Sequence, residues 1–283
     1  MIGLTRKSSD RPPATRWHKV LYGVTGGLAA LVIGVPLTGV IADAADAPAA
    51  TISGTVFEDR DNDNRQDNNE TPLAGVTVSD GQQLVVTDQK GHYSFSSDVE
   101  RRDVDLVFVT QPSGYSVGTD DNMTPKFFRN LGQLAAGDTR EVNFGLRKDK
   151  KSADGGFTFG NVADPHVNAQ LPEQITEINS TRQNLAFIQV SGDLTNNATD
   201  AEFEFYKTST ANSKVPVWPA VGNHEYAAGS TYAARINNYR KHVGPEWYSF
   251  DYSDRHFLVL ENNGAAPFAE QLEWVKADLA QNV

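Results

Sequence analysis

The stretch Phe157-Thr158-Phe159-Gly160-Asn161-Val162-Ala163-Asp164-Pro165-His166 decides the fold of the second half of the chain. It begins as an apolar strand candidate and ends in polar side chains. The same order returns in residues 185–193, which end in Gly192-Asp193, and in residues 215–225, which end in Gly222-Asn223-His224-Glu225. Three strands that each end in a polar motif predict one sheet with a site at the ends of its strands.

Helical spacing of apolar residues separates these strands, which indicates an α/β arrangement with helices on the faces of the sheet. Further elements follow the third strand, and we predict a paired-strand unit and then a closing helix. The predicted helices are residues 173–182, 200–208 and 268–279, and the predicted late strands are residues 247–252 and 256–261. We therefore assign residues 157–283 to an α/β domain.

The preceding part of the chain is predicted to be all-β. Short β-branched or alternating runs are separated by turn residues such as Asp80-Gly81. The strand candidates are residues 52–57, 75–78, 84–87, 92–95, 104–109 and 140–146. This spacing predicts an immunoglobulin-like or prealbumin-like sandwich over residues 51–147. Residues 148–156 are polar and predict a linker.

The first 47 residues have the pattern of a secretory signal peptide. Basic residues precede an apolar stretch, residues 20–41, and two A-x-A sites follow, Ala42-Asp43-Ala44 and Ala45-Asp46-Ala47. The alternative is an uncleaved membrane anchor, because about 20 apolar residues can span a bilayer. Either interpretation predicts a secreted, cell-surface or otherwise extracytoplasmic protein that contacts the membrane only through this segment.

Composition limits the possible functions. The net charge is −11, which argues against binding to a nucleic-acid duplex, since that needs a basic face. There is no cysteine, so disulfides, thiol nucleophiles and cysteine metal sites are excluded. Any metal must be held by imidazole and oxygen ligands.

An acidic stretch in the all-β part, residues 59–70, fits the 12-residue calcium loop. Asn64 stands where glycine is usual, but asparagine tolerates the left-handed backbone conformation better than most residues. The candidate ligands are Asp59, Asp61, Asp63, the Arg65 carbonyl, Asp67 and Glu70. The alternative is a solvated acidic turn. With its flanking residues 54–57 and 71–78, the stretch resembles the calcium-binding B repeats of bacterial adhesins and the β-domain ahead of some calcineurin-like phosphoesterases, which implies a positioning role.

The three polar motifs of the second half suit metal chemistry. Asp164 and His166 are two residues apart and can reach one metal from an extended turn. Asp193 can bridge two metals through its two carboxylate oxygens, and Asn223 offers an amide oxygen. Two metals about 3.5–4 Å apart can stabilise both the attacking and the leaving oxygen at phosphorus.

The order D-x-H, G-D, G-N-H-E, each motif about 30 residues after the last, resembles the first motifs of calcineurin-like metallophosphoesterases, which have an αββα architecture. The resemblance implies Asp164 and His166 on the first metal, Asp193 as the bridge and Asn223 on the second metal. His224 would protonate the leaving oxygen or stabilise transition-state charge. The metals would be two divalent transition ions (Mn, Fe or Zn), and the reaction would be attack of a metal-bound hydroxide on a phosphate mono- or diester.

One departure from the family stands out. The family also carries a later histidine and a G-H-x-H motif, and neither occurs in these 283 residues. His242 is expected to face solvent and His256 to be a packing or edge residue, so neither is expected to replace them. We therefore expect an incomplete α/β domain that binds metal weakly and has little or no activity alone.

Two functions remain open at this point. The first is a secreted metallophosphoesterase acting on a small phosphoester or a cell-envelope substrate. The second is a cell-surface binding or structural protein with a calcium-stiffened β-domain and a degenerate phosphoesterase domain. Tyr226 and Tyr232, after the G-N-H-E motif, are candidates for stacking on a base or sugar, with ordinary packing as the alternative.

Overall fold

The computed structural model describes residues 2–5, 48–99, 106–153, 155–264 and 266–282. The predicted signal segment lies outside these ranges except for its first residues, Ile2–Thr5, which form strand β1. All the elements described below belong to one compact unit. No helix in the described ranges is both long and apolar enough to span a membrane.

Two sheets form the first half of the described chain. Their strands are β2 (Ala49–Glu58), β3 (Thr77–Ser79), β4 (Leu84–Val86), β5 (His92–Asp98), β6 (Leu106–Val109), β7 (Tyr115–Ser116), β8 (Phe128–Asn130), β9 (Thr139–Glu141) and β10 (Phe144–Lys148). The strand orders are β5–β2–β10–β7, with β9 also beside β2, and β4–β3–β6–β8. Side chains alternate along β5, where Tyr93 and Phe95 are buried and His92 and Ser94 are exposed, because successive residues of a strand face opposite sides.

The predicted strand 140–146 is two strands in the structure. Both β9 and β10 run parallel to β2, and they are separated at Val142 and Asn143. There the side-chain oxygen of Asn143 accepts the hydrogen bond of the Thr55 N–H at 2.8 Å, in place of a backbone carbonyl. The Thr55 N–H therefore keeps a hydrogen-bond partner at the interruption.

The second half follows the predicted alternation of strands and helices. It contains β11 (Thr158–Val162), α1 (Gln170–Thr181), β12 (Leu185–Ser191), α2 (Asp200–Thr210), β13 (Val217–Ala220), a 3-10 turn (Asn223–Glu225), α3 (Tyr232–His242), β14 (Tyr248–Tyr252), β15 (Arg255–Val259) and α4 (Phe268–Asn282). Strands β11, β12 and β13 are parallel. Strands β14 and β15 form an antiparallel hairpin, and β1 pairs with the other edge of β15. Strand β12 is a nearly continuous buried run, as expected for a parallel strand covered on both faces.

One aromatic core joins the two halves. Trp218 of β13 stacks on Phe250 of β14, with ring centroids 4.1 Å apart and planes 1° apart. Phe127, from the first half, lies 5.2 Å from Trp218 and 4.6 Å from Tyr248. The indole of Trp274 donates to Ser79 Oγ at 2.9 Å. The first half therefore packs directly against the strands that carry the polar motifs.

The two downstream histidines are both largely buried. The expectation that His242 faces solvent is wrong: its side chain is 10% exposed and its ring stacks on Phe203 at 5.3 Å, because α3 packs against α2. His256 is a packing residue, fully buried between the carboxylates of Asp251 and Asp278 at 2.7 and 2.6 Å.

Candidate metal centre

The three polar motifs meet at one end of the β11–β12–β13 sheet. Each motif directly follows its strand, and the carboxyl ends of parallel strands share an edge of the sheet. Ligand atoms of His166, Asp193 and His224 lie within 4.8 Å of one another. Parallel pairing therefore gathers one donor from each loop into a single cluster.

His166 presents one ring nitrogen to this cluster and anchors the other. Its Nε2 lies 4.0 Å from Asp193 Oδ2. Its Nδ1 lies 3.0 Å from the carbonyl oxygen of Thr195, which can only accept a hydrogen bond. The ring also stands nearly perpendicular to that of His224, with centroids 4.7 Å apart.

Asp193 and His224 are joined through the backbone. The N–H of His224 donates to Asp193 Oδ1 at 3.1 Å. The Nδ1 of His224 lies 2.8 Å from the carbonyl oxygen of Asn196. That hydrogen bond raises the pKa of His224; burial opposes the rise, and the charges of Asp193, Glu225 and Asp164 add to it. His224 therefore stays protonated to a higher pH than an unperturbed imidazole does.

The backbone is strained at the same positions. Asp164, His166 and Asp193 have φ angles of 50°, 50° and 52°, a left-handed conformation that is uncommon outside glycine. Such conformations cluster at functional sites, because the surrounding structure must hold them against their cost. Here all three residues are candidate metal ligands, and each lies in the loop that follows a strand.

The structure places the remaining predicted ligands at the edge of this cluster. Asp164 is exposed and lies outside the three-residue group, although its charge still acts on His224. Asn223 is exposed and opens the 3-10 turn that carries His224.

Glu225 is fully buried and links two of the loops. Its Oε1 accepts from the Thr195 N–H at 2.9 Å, and its Oε2 accepts from the Gly222 N–H at 2.7 Å. Burial raises the pKa of Glu225, and the donated hydrogen bonds oppose that rise. The sequence motifs include Glu225 but not Thr195 and Asn196, whose contribution comes partly from backbone carbonyls. Their position two and three residues after Asp193 was the available signal.

The two tyrosines after the G-N-H-E motif pack on each other, with ring centroids 5.9 Å apart. The hydroxyl of Tyr232 donates to the buried Glu246 at 3.0 Å. The guanidinium of Arg235 lies 4.9 Å from the centroid of the Tyr226 ring. These contacts favour the packing alternative for Tyr232.

The acidic loop forms a second cluster of possible metal ligands. Carboxylate oxygens of Asp59, Asp61 and Glu70 lie within 4.8 Å of one another, and Asp59 and Glu70 are buried. Asn64 has the left-handed φ angle, 57°, that the sequence predicted for this position. Desolvation and the nearby charges of Asp63, Glu70 and Asp67 raise the pKa of Asp61, although a backbone hydrogen bond opposes them.

Backbone donors already curve this loop. The two carboxylate oxygens of Asp59 accept from the N–H groups of Asn62 and Asn64 at 2.5 and 3.0 Å. Those of Glu70 accept from Arg60 and Asp67 at 2.7 and 3.1 Å. These bonds bring the two ends of the loop together, with the carboxylates of Asp59 and Glu70 on the same side as that of Asp61.

The donor chemistry of the two clusters differs. Two imidazoles and a carboxylate fit a divalent transition metal such as Mn, Fe or Zn. The oxygen-only set of the acidic loop fits a hard cation such as calcium. Among the described residues, the imidazole cluster supplies three ionisable donors to one possible transition-metal site.

Comparisons with known proteins point in the same direction. Residues 60–149 match the family described as "N terminal of Calcineurin-like phosphoesterase". The chain is also 26% identical over 133 residues to a curated protein of Fibrobacter succinogenes (strain ATCC 19169 / S85) named as a probable cyclic nucleotide phosphodiesterase. That match covers 44% of this chain and 52% of the relative, so the chain spans about half the length of the relative. Together the matches support the metallophosphoesterase family at a coarse level, and the family match falls on the β half.

Proposed function

We propose that this chain is a metal-dependent phosphoesterase of the calcineurin-like family that hydrolyses phosphate mono- or diesters. The observation that carries the proposal is the meeting of His166, Asp193 and His224 at the ends of three parallel strands. The family similarity of the β half supports it independently, because it lies in a different part of the chain.

Each residue has a part in this proposal. His166 and Asp193 would hold a divalent metal through Nε2 and the carboxylate, with Asp164 near His166 and Asn223 beside His224 as further ligands. A metal held there would activate water and stabilise charge on the phosphate oxygens. His224, whose pKa is raised chiefly by its hydrogen bond to the Asn196 carbonyl, would in its protonated form give the Nε2 proton to the leaving oxygen.

We propose in addition that the chain alone turns over slowly. The described cluster contains three ionisable donors, whereas a two-metal site needs more. Cyclic nucleotides belong among the substrates to test, because the relative from Fibrobacter succinogenes is named for them.

Hydrolysis by the full chain with added Mn²⁺ tests the proposal, with p-nitrophenyl phosphate, bis(p-nitrophenyl) phosphate and a cyclic nucleotide as substrates. We expect slow turnover that requires the metal and falls to background in Asp193→Asn. Turnover that persists in Asp193→Asn or after chelation would refute the proposal. Fast turnover without further residues would refute the view that the site is incomplete.

The alternative is a surface-displayed binding or structural protein. The calcium cluster favours it, because a calcium-stiffened β half needs no catalysis. Metal binding without any hydrolysis of these substrates would support this alternative. Export to the cell surface or the medium, proposed from the pattern of residues 1–47, is common to both functions.

We also propose calcium in the acidic loop. A ligand that binds only the folded state stabilises it, so calcium should raise the melting temperature. Glu70→Gln should remove that rise, because it removes a buried charge at loop position 12. An equal rise in Glu70→Gln would contradict calcium binding at this loop. Glu141→Gln, in strand β9, is the control.

A further inference from the structure

Two consecutive backbone carbonyls hold both imidazoles of the candidate metal centre. The carbonyl of Thr195 lies 3.0 Å from His166 Nδ1, and that of Asn196 lies 2.8 Å from His224 Nδ1. Because a carbonyl only accepts, each Nδ1 must carry a hydrogen. In the neutral rings each Nε2 is then left unprotonated, and that of His166 lies 4.0 Å from Asp193 Oδ2.

Buried hydrogen bonds hold both the backbone N–H and the hydroxyl of Thr195. Its N–H donates to Glu225 Oε1 at 2.9 Å, and its hydroxyl lies 3.1 Å from the same oxygen. The hydroxyl also lies 2.9 Å from the carbonyl oxygen of His224 and accepts from the N–H of Ala198 at 3.1 Å. Thr195 and Glu225 are both fully buried, so no water competes for these contacts.

These bonds connect the two loops that bring in the imidazoles. Glu225 reaches back to Gly222 through its second oxygen at 2.7 Å. Thr195 and Glu225 therefore link the loop after β12 to the turn after β13, in addition to the contacts of His224 with Asp193 and Asn196. A displacement of Thr195 would move the carbonyl that orients His166 and the peptide of His224 together.

We propose that Thr195 is a positioning residue, held by Glu225, that sets the tautomer and direction of the His166 and His224 rings. The inference rests on the proposed metal centre, but its first consequence concerns the metal-free chain. Residues that orient a metal-ligating imidazole typically change metal affinity about 10- to 100-fold when they are altered.

Two readouts test this role in the full chain. Long-range ¹H–¹⁵N correlation of the metal-free protein, at a pH where the imidazoles are neutral, reports which nitrogen of each histidine carries the hydrogen. Titration with Co²⁺ in excess calcium reports the metal affinity. Thr195→Val removes the hydroxyl at nearly constant volume, and Thr195→Ser keeps it. His92 and His242, outside the cluster, serve as internal reference signals.

We expect the Nδ1–H tautomer at His166 and His224 in the wild type and in Thr195→Ser. We expect mixed tautomers and about 10- to 100-fold weaker Co²⁺ binding in Thr195→Val. Nε2–H tautomers in the wild type would overturn the proposal, as would a Thr195→Val protein with wild-type tautomers and affinity. If Thr195→Val does not fold, Glu225→Gln provides the same comparison. A wild type with the expected tautomers that binds no Co²⁺ would refute the metal centre and leave the positioning role standing.

Discussion

Gly222 leaves no room for a side chain at the candidate site. A Cβ atom there would lie 2.1 Å from Asp193 Oδ1 and 2.2 Å from the Asp193 backbone nitrogen. Both contacts are shorter than any non-bonded approach allows, and backbone cannot move away as a flexible side chain can. The glycine of the G-N-H-E motif therefore makes room for Asp193.

Gly222→Ala should weaken metal binding and destabilise the fold. Overpacking of a tight site typically costs about 1–3 kcal/mol, and here the displaced group is a proposed ligand. Gly156→Ala is the matched control, because a Cβ there would meet nothing within 4 Å. Urea unfolding and Co²⁺ titration of both variants measure the two effects. A Gly222→Ala protein with the stability and affinity of Gly156→Ala would contradict this close approach.

Sequence could identify the ligand types at this scale but not their geometry. The order of the D-x-H, G-D and G-N-H-E motifs singled out His166, Asp193 and His224, together with Asp164 and Asn223. The hydrogen bonds of Thr195 and Asn196 involve carbonyls, which every residue has, so residue identity carried no signal for them. The left-handed φ angle of Asn64 was predictable, because asparagine stands where a calcium loop needs that conformation.

A buried charge network joins three elements of the second half. His256 of β15 lies between Asp251 of β14 and Asp278 of α4, and all three side chains are almost fully buried. Burial alone would lower the pKa of His256, but hydrogen bonds to Asp251 and Asp278 outweigh it and raise the pKa to about 9. The cationic ring therefore links helix α4 to the β14–β15 hairpin through two ion pairs.

This network should make stability depend on pH above neutrality. The folded-state pKa lies above the ordinary value of 6.5, so the contribution is fully present below about pH 6.5 and is lost as pH rises toward 9. At about 1.4 kcal/mol per pKa unit, the loss is at most about 3.5 kcal/mol.

Urea unfolding between pH 6 and 9.5 measures that loss. His256→Asn should be less stable at pH 6 and should lack most of the decline. His92→Asn, on an exposed position of β5, should keep it. A decline of the same size in His256→Asn would mean that another group titrates.

The positions of strands and helices were predictable where the local pattern of apolar and polar residues determines the structure. The strands before the three motifs and the helices between them lie within a few residues of their predicted bounds. The predicted strand 140–146 divides because Asn143 lends a side-chain oxygen to Thr55, a partner 88 residues away. His242 is covered by α2, and its own helix gives no sign of that contact.

The two halves of the molecule share one hydrophobic core, and the sequence pattern of either half alone does not predict it. Phe127 is 1% exposed and contacts Trp218 and Tyr248 from the other half. Residues 148–156 were predicted as a linker, and Ser152 within them is fully buried and accepts from the N–H of Ser253 at 2.8 Å. Contacts between residues so far apart in sequence leave no periodic signal in either half.

We therefore expect the two halves to unfold in one transition. Tryptophan fluorescence and far-ultraviolet circular dichroism should give coincident urea curves. Phe127→Ala should lower the free energy of unfolding by about 3–5 kcal/mol, as buried Phe→Ala changes do. Phe268→Ala, at a position 50% exposed, should change it far less. Two separate transitions in the wild type would contradict a shared core.

The central claim is that the loops after β11 and β12, together with the turn after β13, build one transition-metal centre. Co²⁺ titration of the full chain in excess calcium tests it most directly, because calcium occupies oxygen-only sites while Co²⁺ reports imidazole ligands by its absorption spectrum. We predict one Co²⁺ per chain in the wild type and in Asp61→Asn, and loss of that binding in Asp193→Asn. Equal Co²⁺ binding by Asp193→Asn and wild type, or no binding by the wild type, would contradict the claim.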